Sequence, residues 1–60
     1  MDSREIIRLL TADGWTLKAI KGDHHHFVHP SKPGKVTVPH PAKDLKKGTV
    51  GSILRQAKLK

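Results

Sequence analysis

Histidine is the residue type in this sequence best suited to chemistry near neutral pH, because its unperturbed pKa of about 6.5 makes both protonation states available. Four of the five histidines lie between positions 21 and 30, in the segment KGDHHHFVHP. A glycine precedes them, so the chain can turn sharply just ahead of the histidines. We therefore expect this segment to carry the function.

The local pattern predicts a tight turn that feeds a short strand. Gly22 and the adjacent Asp23 suit a two-residue hairpin connection. Residues 24–29 include the strand-favouring pair Phe27 and Val28, and Pro30 cannot continue a ladder. We predict one strand over residues 24–29.

Alternation along a strand assigns these histidines to two faces. His24 and His26 share one face, whereas His25 and Phe27 share the other. Phe27 is the only phenylalanine in the chain and is the expected core residue. His24 and His26 should therefore lie on an outer face, where they can meet a ligand.

Two histidines and nearby cations could cleave RNA without a metal. Such a reaction needs a base for the 2′-hydroxyl proton, an acid for the leaving oxygen, and cations that hold the phosphate. His24 is the candidate acid or base, and His26 is the candidate second titrating or phosphate-holding group. Lys21 and Lys35, on neighbouring predicted strands, are the expected phosphate clamps.

Two other roles for the histidine run remain open at this point. A zinc site would need three or four ligands of defined spacing, and no cysteine or suitably placed acid completes one. We therefore expect no metal and no other cofactor. Alternatively, the histidines are ordinary surface residues, although four within ten positions are unusual for that role.

The excess of positive charge is confined to one part of the chain. Residues 1–23 carry four lysines and arginines against four acids, 4 − 4 = 0, whereas residues 24–60 carry eight against one, 8 − 1 = +7. Such segregation is typical of proteins that bind a polyanion, either nucleic acid or an acidic protein. A lysine-rich surface that only maintains solubility is the alternative.

Composition limits the remaining classes. The chain has no cysteine, so it has neither a disulfide framework nor a thiolate metal site. No apolar run approaches the roughly 18 residues of a membrane span, and Asp2 and Glu5 stand where a signal peptide would be basic. We expect a single cytoplasmic domain over residues 1–60 that does not bind a membrane.

Hydrophobic periodicity predicts an α+β fold with the order α-β-β-β-α. The first helix should carry Ser3 as its cap and end at Gly14, and the last helix should be capped by Thr49. The first strand alternates as a half-buried strand does. Short turns favour an antiparallel meander, so we predict a three-stranded sheet with both helices on one face. The predicted elements are a helix over residues 3–13, strands over 15–21, 24–29 and 35–38, and a helix after residue 49.

Several separated motifs along the chain are shared with one known family. The motifs are GDHHHF at 22–27, HP at 29–30, VTVPHP at 36–41, KGT at 47–49 and SILRQA at 52–57. Together they resemble the HicA family of bacterial toxins, and the resemblance covers essentially the whole chain. It implies a small fold similar to a double-stranded-RNA-binding domain, an mRNA-cleaving ribonuclease (mRNA interferase) activity, and a HicB-type antitoxin that covers the active site.

The resemblance also implies which residues act. The family's catalytic histidine falls on His24, and the preceding position, usually serine in the family, is Asp23 here. A carboxylate there favours the protonated form of His24 and repels a phosphate, so we expect Asp23 to alter the activity. The residues expected to bind RNA are Lys21, Gly22, Lys35, Lys46 and Lys47.

The leading hypothesis is therefore a toxin ribonuclease, monomeric when free, that cleaves mRNA in a toxin–antitoxin pair. A non-catalytic RNA-binding module would use the same face and the same charges without turnover. A small interaction protein that binds only an acidic partner protein is a third possibility, but it gives the clustered histidines no function.

Overall fold

The computed structural model describes residues 1–60 and has the predicted order of elements. Two helices flank a three-stranded antiparallel sheet, so the predicted α+β class is confirmed. No helix is long and apolar enough to cross a membrane. The elements are α1 (Ser3–Ala12), β1 (Thr16–Lys21), β2 (His24–Val28), β3 (Lys35–Pro39) and α2 (Lys47–Gln56).

The sheet has the order β1-β2-β3, which makes β2 the central strand. We call the face of the sheet that carries Phe27 the inner face, and the opposite face, with His24 and His26, the outer face. Side chains from both helices join those of β2 and β3 in one core, so both helices pack on the inner face. The core residues are Ile6, Leu10, Trp15, Phe27, Val36, Val38, Leu45, Ile53 and Ala57.

The N-terminus of α1 differs from the sequence prediction. Asp2, not Ser3, caps the helix, because its carboxylate accepts a hydrogen bond from the backbone N–H of Glu5 at 3.0 Å. That bond, reinforced by Arg4, lowers the pKa of Asp2 despite the opposing effect of desolvation. Ser3 is instead buried, where its Oγ accepts the N–H of Ala42 at 2.9 Å. A buried hydroxyl committed to the residue 42 backbone is unavailable as a cap.

The C-terminus of α1 is followed by the predicted glycine. Gly14 has a φ of +103°, a conformation that side chains with a Cβ rarely adopt. A Cβ at this position would lie only 2.8 Å from Nε2 of His29. Gly14 therefore permits both the reversal of the chain and the close approach of His29.

The second helix begins earlier than predicted. Lys46 occupies the N-cap without a side-chain hydrogen bond, and its carbonyl accepts the N–H of Val50 at 2.9 Å. The prediction that Thr49 caps this helix is therefore wrong, because the first helical turn already encloses Thr49. At the other end, Nζ of Lys32 donates to the carbonyl of Ala57 at 3.0 Å and ties the helix to the loop before β3.

The first strand is exposed along its whole length, so the prediction of a half-buried strand is wrong. β1 is an edge strand, and the core side chains come from β2, β3 and the helices. The register with β2 also shifts between Leu17 and Ala19, which makes Lys18 the extra residue of a bulge. Leu17 therefore pairs with Phe27 and Ile20 with His25, and both face the inner side.

Candidate active site on the outer face of the sheet

The candidate site begins at the turn between β1 and β2. Gly22 has a φ of +60°, and no atom lies within 4 Å of where a Cβ would stand. Glycine is therefore required here by the backbone conformation and not by crowding. The space beside Gly22 is empty, so a phosphate group can approach the turn that precedes His24.

Strand register brings the predicted residues together on the outer face. Lys21 of β1 pairs with His24 of β2, and His24 in turn pairs with Pro39 of β3. His26 lies between Ala19 and Thr37 in the next outward-facing row. The face thus presents two histidines in the middle of the sheet, with a lysine on the neighbouring strand.

His24 is the more open of the two outward-facing histidines. Its side chain is 57% exposed, and its Nδ1 lies 3.7 Å from Oδ1 of Asp23. At that distance the two groups form an ion pair when His24 is protonated, but not a hydrogen bond. The effect of the Asp23 carboxylate on activity stays a prediction.

His26 is half-buried, and one ring nitrogen is already occupied. Its Nδ1 lies 2.8 Å from Oγ1 of Thr37. Burial lowers the pKa of His26, and the positive charge of Lys35 lowers it further, with smaller contributions from the nearby His24 and Lys21. A lowered pKa keeps the imidazole neutral near pH 7, which is the state that a general base needs.

A groove on the outer face adds a lysine that the sequence analysis did not identify. Lys35, one of the predicted clamps, borders this groove together with Lys18. Strict alternation would not align Lys18 with Ala19, but the bulge in β1 turns both toward the groove. The residues that line it are Lys18, Ala19, His26, Val28, Gly34 and Lys35.

The two other predicted lysines lie elsewhere. Lys46 and Lys47 begin α2, which packs on the inner face. Lys47 borders a different groove, whose other cation is Lys60. A role for Lys46 and Lys47 in binding RNA stays a prediction, separate from the histidine site.

His25 faces the helices and packs against another histidine. Its ring meets the ring of His40 edge to face, with the centroids 4.8 Å apart. The Oγ of Ser3 lies 2.7 Å from Nδ1 of His40 and also accepts the N–H of Ala42. The hydrogen bond between the Ser3 hydroxyl and His40 therefore joins the start of α1 to the segment after β3.

His29 is also held in place by contacts within the fold. The N–H of Ser31 donates to its Nδ1 at 3.0 Å, so Nε2 carries the proton and donates to the carbonyl of Asp13 at 2.7 Å. The ring also packs edge-on against Trp15, with the centroids 5.3 Å apart. His29 thus connects the end of α1 to the end of β2.

Asp13 completes this structural cluster. Its carboxylate accepts hydrogen bonds from Nζ of Lys32 at 2.5 Å and from Nε1 of Trp15 at 3.2 Å. The bond from Lys32 lowers the pKa of Asp13, and the bond from Trp15 acts in the same direction. Lys32 is therefore engaged in the fold, unlike the lysines of the outer face.

No three His, Asp or Glu side chains converge in an arrangement that could hold a metal ion. The donors that are available on the outer face are imidazoles, ammonium groups and the open backbone of the turn. Together they suit proton transfer beside a bound phosphate.

A family model described as the HicA toxin of bacterial toxin–antitoxin systems matches residues 3–59 of the 60. No curated protein matches the chain. The match spans every helix and strand described above, including the turn and both outward-facing histidines.

Proposed function

The chain belongs to the HicA toxin family of bacterial toxin–antitoxin systems, and from that premise we propose that it is an endoribonuclease that cleaves mRNA in the cytoplasm without a metal. The observation that carries the proposal is the outer face of β2. There, an open histidine beside a carboxylate and a half-buried histidine with a lowered pKa stand two positions apart.

The proposed reaction uses the RNA's own 2′-hydroxyl as the nucleophile. His26 accepts the proton of that hydroxyl at Nε2 while the 2′-oxygen attacks the phosphorus. The bond to the 5′-oxygen breaks, and protonated His24 donates a proton to that oxygen. The products are a 2′,3′-cyclic phosphate and a 5′-hydroxyl, so that no water, oxidant or cofactor enters this step.

The environments of the two histidines support this division of labour. His26 is neutral because of burial and the positive charge of Lys35, whereas His24 has Asp23 beside it. Residues two apart along a strand are separated by about 6.6 Å. That spacing suits groups that serve the attacking and leaving oxygens, which lie on opposite sides of one phosphate.

Thr37 has a positioning role in this mechanism. If Nδ1 of His26 carries the proton and donates to Oγ1 of Thr37 at 2.8 Å, the lone pair of Nε2 is free to accept a proton. Lys21, Lys18 and Lys35 supply the positive charge that holds the phosphate, and the open turn at Gly22 lets the RNA backbone approach His24.

The proposal is tested with a single-stranded RNA and the same strand carrying one 2′-deoxynucleotide at the main cleavage position. We expect the parent chain to cut the RNA in the presence of EDTA and to leave a cyclic phosphate, and we expect no cut at the deoxy position. Cleavage at the deoxy position, or loss of cleavage with EDTA, would contradict the mechanism.

Substitution of His24 separates an enzyme from a binding module. We expect His24→Ala to abolish cleavage and growth arrest on expression in bacteria while RNA affinity changes little. A parent chain that binds RNA, with the strong salt dependence of phosphate contacts, yet never cleaves it would be the non-catalytic module.

A further inference from the structure

The first strand leaves one edge of the sheet unpaired. β1 is hydrogen-bonded only to β2, and all six of its residues, Thr16–Lys21, are exposed. The backbone groups along its free edge are thus available to another strand. Natural proteins usually cover, shorten or charge such an edge to prevent unwanted pairing.

The side chains of β1 divide into two chemically different rows. The bulge at Lys18 places Leu17 and Ile20 on the inner side, where they remain 48% and 58% exposed. Lys18 borders the outer groove, and Lys21 lies next to His24. The free edge therefore has an apolar row on one side and a cationic row on the other.

An apolar groove continues inward from this edge. It runs between α1 and β1, with Ile7, Leu17 and Phe27 among its apolar lining residues and His25 and His40 among the others. Its volume of about 430 Å³ is within the range of sites that accept a few side chains. A strand added to β1 can place its inward-facing side chains there.

The positive charge of this edge indicates which kind of partner can pair with it. Pairing of two copies along β1 would join two chains of net charge +7 and place four lysines along one seam, namely Lys18 and Lys21 of each copy. A partner whose outward-facing residues are acidic would instead neutralise that seam. The edge thus fits a different protein and disfavours a second copy.

From these observations we infer that β1 is the docking edge for the antitoxin, which adds an extended segment to the sheet as a fourth strand. The segment carries apolar residues against Leu17 and Ile20, and carboxylates beside Lys18 and Lys21. This inference rests on the proposed function only in naming the antitoxin as the partner. It adds that the partner holds the toxin through the sheet edge and the apolar groove, beside the histidine site.

The geometry also explains how such docking would control the site. A strand paired with β1 would lie one strand spacing, about 4.8 Å, from β1. Its carboxylates would then compete with RNA phosphates for Lys18 and Lys21. RNA would be excluded even where the added strand makes no contact with His24 or His26.

The test uses the purified chain, its cognate antitoxin, and two substitutions that change charge equally. Ile20→Lys places a charge in the apolar row, and Leu9→Lys places one on α1 at a side chain that is 44% exposed. We expect Ile20→Lys to raise the Kd for the antitoxin about 10-fold or more, and Leu9→Lys to change it less than about 2-fold. Equal effects of the two substitutions would overturn the inference.

Hydrogen exchange provides a readout that does not depend on substitution. The amides of β1 that do not bond to β2 should exchange at least about 10-fold more slowly in the complex than in the free chain. Unchanged exchange along β1, failure of the antitoxin to bind the parent chain, or dimerisation of the free chain through β1 would each overturn the inference.

Cleavage assays distinguish this failure from failure of the proposed function. Free Ile20→Lys should cut RNA like the parent, since Ile20 lies on the inner side of β1, away from the histidine site. A parent chain that does not cut RNA but binds the antitoxin with β1 protected would refute the ribonuclease and support the docking edge. A chain that cuts RNA normally but binds the antitoxin through another surface would support the ribonuclease and refute the docking edge.

Discussion

The two faces of β2 give neighbouring histidines different surroundings. On the outer face, His24 is open and His26 has one ring nitrogen free beside a lysine-lined groove. On the inner side, His25 packs against His40, and beyond the end of the strand both ring nitrogens of His29 are hydrogen-bonded. The pleat of one strand thus separates histidines suited to chemistry from histidines that hold the fold.

Of the substitutions that test this contrast, replacement of His26 should have the largest effect on RNA cleavage. We expect His26→Gln to lower the rate of RNA cleavage about 100-fold or more, because glutamine keeps the polar contact to Thr37 but cannot accept the proton. The unfolding midpoint should stay unchanged. The rate is measured as single-turnover cleavage, with His25→Gln as the matched control.

If His25→Gln slows cleavage by folded protein as much as His26→Gln does, the division between the two faces is wrong. Stability measured on the same samples corrects the comparison for any unfolded fraction.

Removal of His29 should lower the stability of the fold considerably and change the rate of RNA cleavage little. His29→Ala leaves the Asp13 carbonyl and the Ser31 N–H without their partner and removes the edge contact with Trp15. We expect the free energy of unfolding to fall by about 1–3 kcal/mol. Urea denaturation measures this change, and a variant as stable as the parent would contradict the structural role.

Removal of the Thr37 hydroxyl should have a moderate effect confined to cleavage. Thr37→Val conserves the shape of the side chain but leaves Nδ1 of His26 without its partner. We expect cleavage about 10-fold slower, because the imidazole loses its orientation and tautomer. Thr37→Ser should restore most of the rate, and failure of that rescue would show that the hydroxyl does not position His26.

The smallest effect expected is a displacement of the pH–rate profile. The pKa of His26 is lowered by burial and then by Lys35, so the basic form persists below pH 6.5, and the rate should fall only as the pH drops through that lowered pKa. Lys35→Met removes one cause and raises the pKa of His26. The acid limb should therefore move to higher pH, by less than about one unit.

Lys58→Met is the matched control for charge, because it removes a lysine from the end of the chain after α2. A shift of the acid limb to lower pH in Lys35→Met, or an equal shift in the control, would contradict the assignment of His26 as the base.

Much of this arrangement follows from local sequence. The Gly22–Asp23 turn and the alternation through Phe27 are enough to predict that His24 and His26 face outward, and the strand register confirms it. The order of helices and strands follows equally from hydrophobic periodicity and breakers. These features depend on residues within a few positions of one another.

The features that sequence analysis missed depend on distant contacts or local irregularity. Ser3 looks like a helix cap, but its hydroxyl bonds to His40, 37 positions away. The bulge that turns Lys18 toward the groove has no glycine or other signal in β1. The contact between Thr37 and His26 arises only when β3 pairs with β2. No periodicity within one segment encodes such relationships.

The most direct test of the central claim is a parallel measurement on four variants, in which His24, His25, His26 and His29 are each replaced by glutamine. Cleavage rate per folded molecule and the free energy of unfolding are measured for each variant. We expect His24→Gln and His26→Gln to lose cleavage and keep stability, and His25→Gln and His29→Gln to lose stability and keep cleavage. Loss of cleavage that does not follow the two faces of β2 would contradict the account.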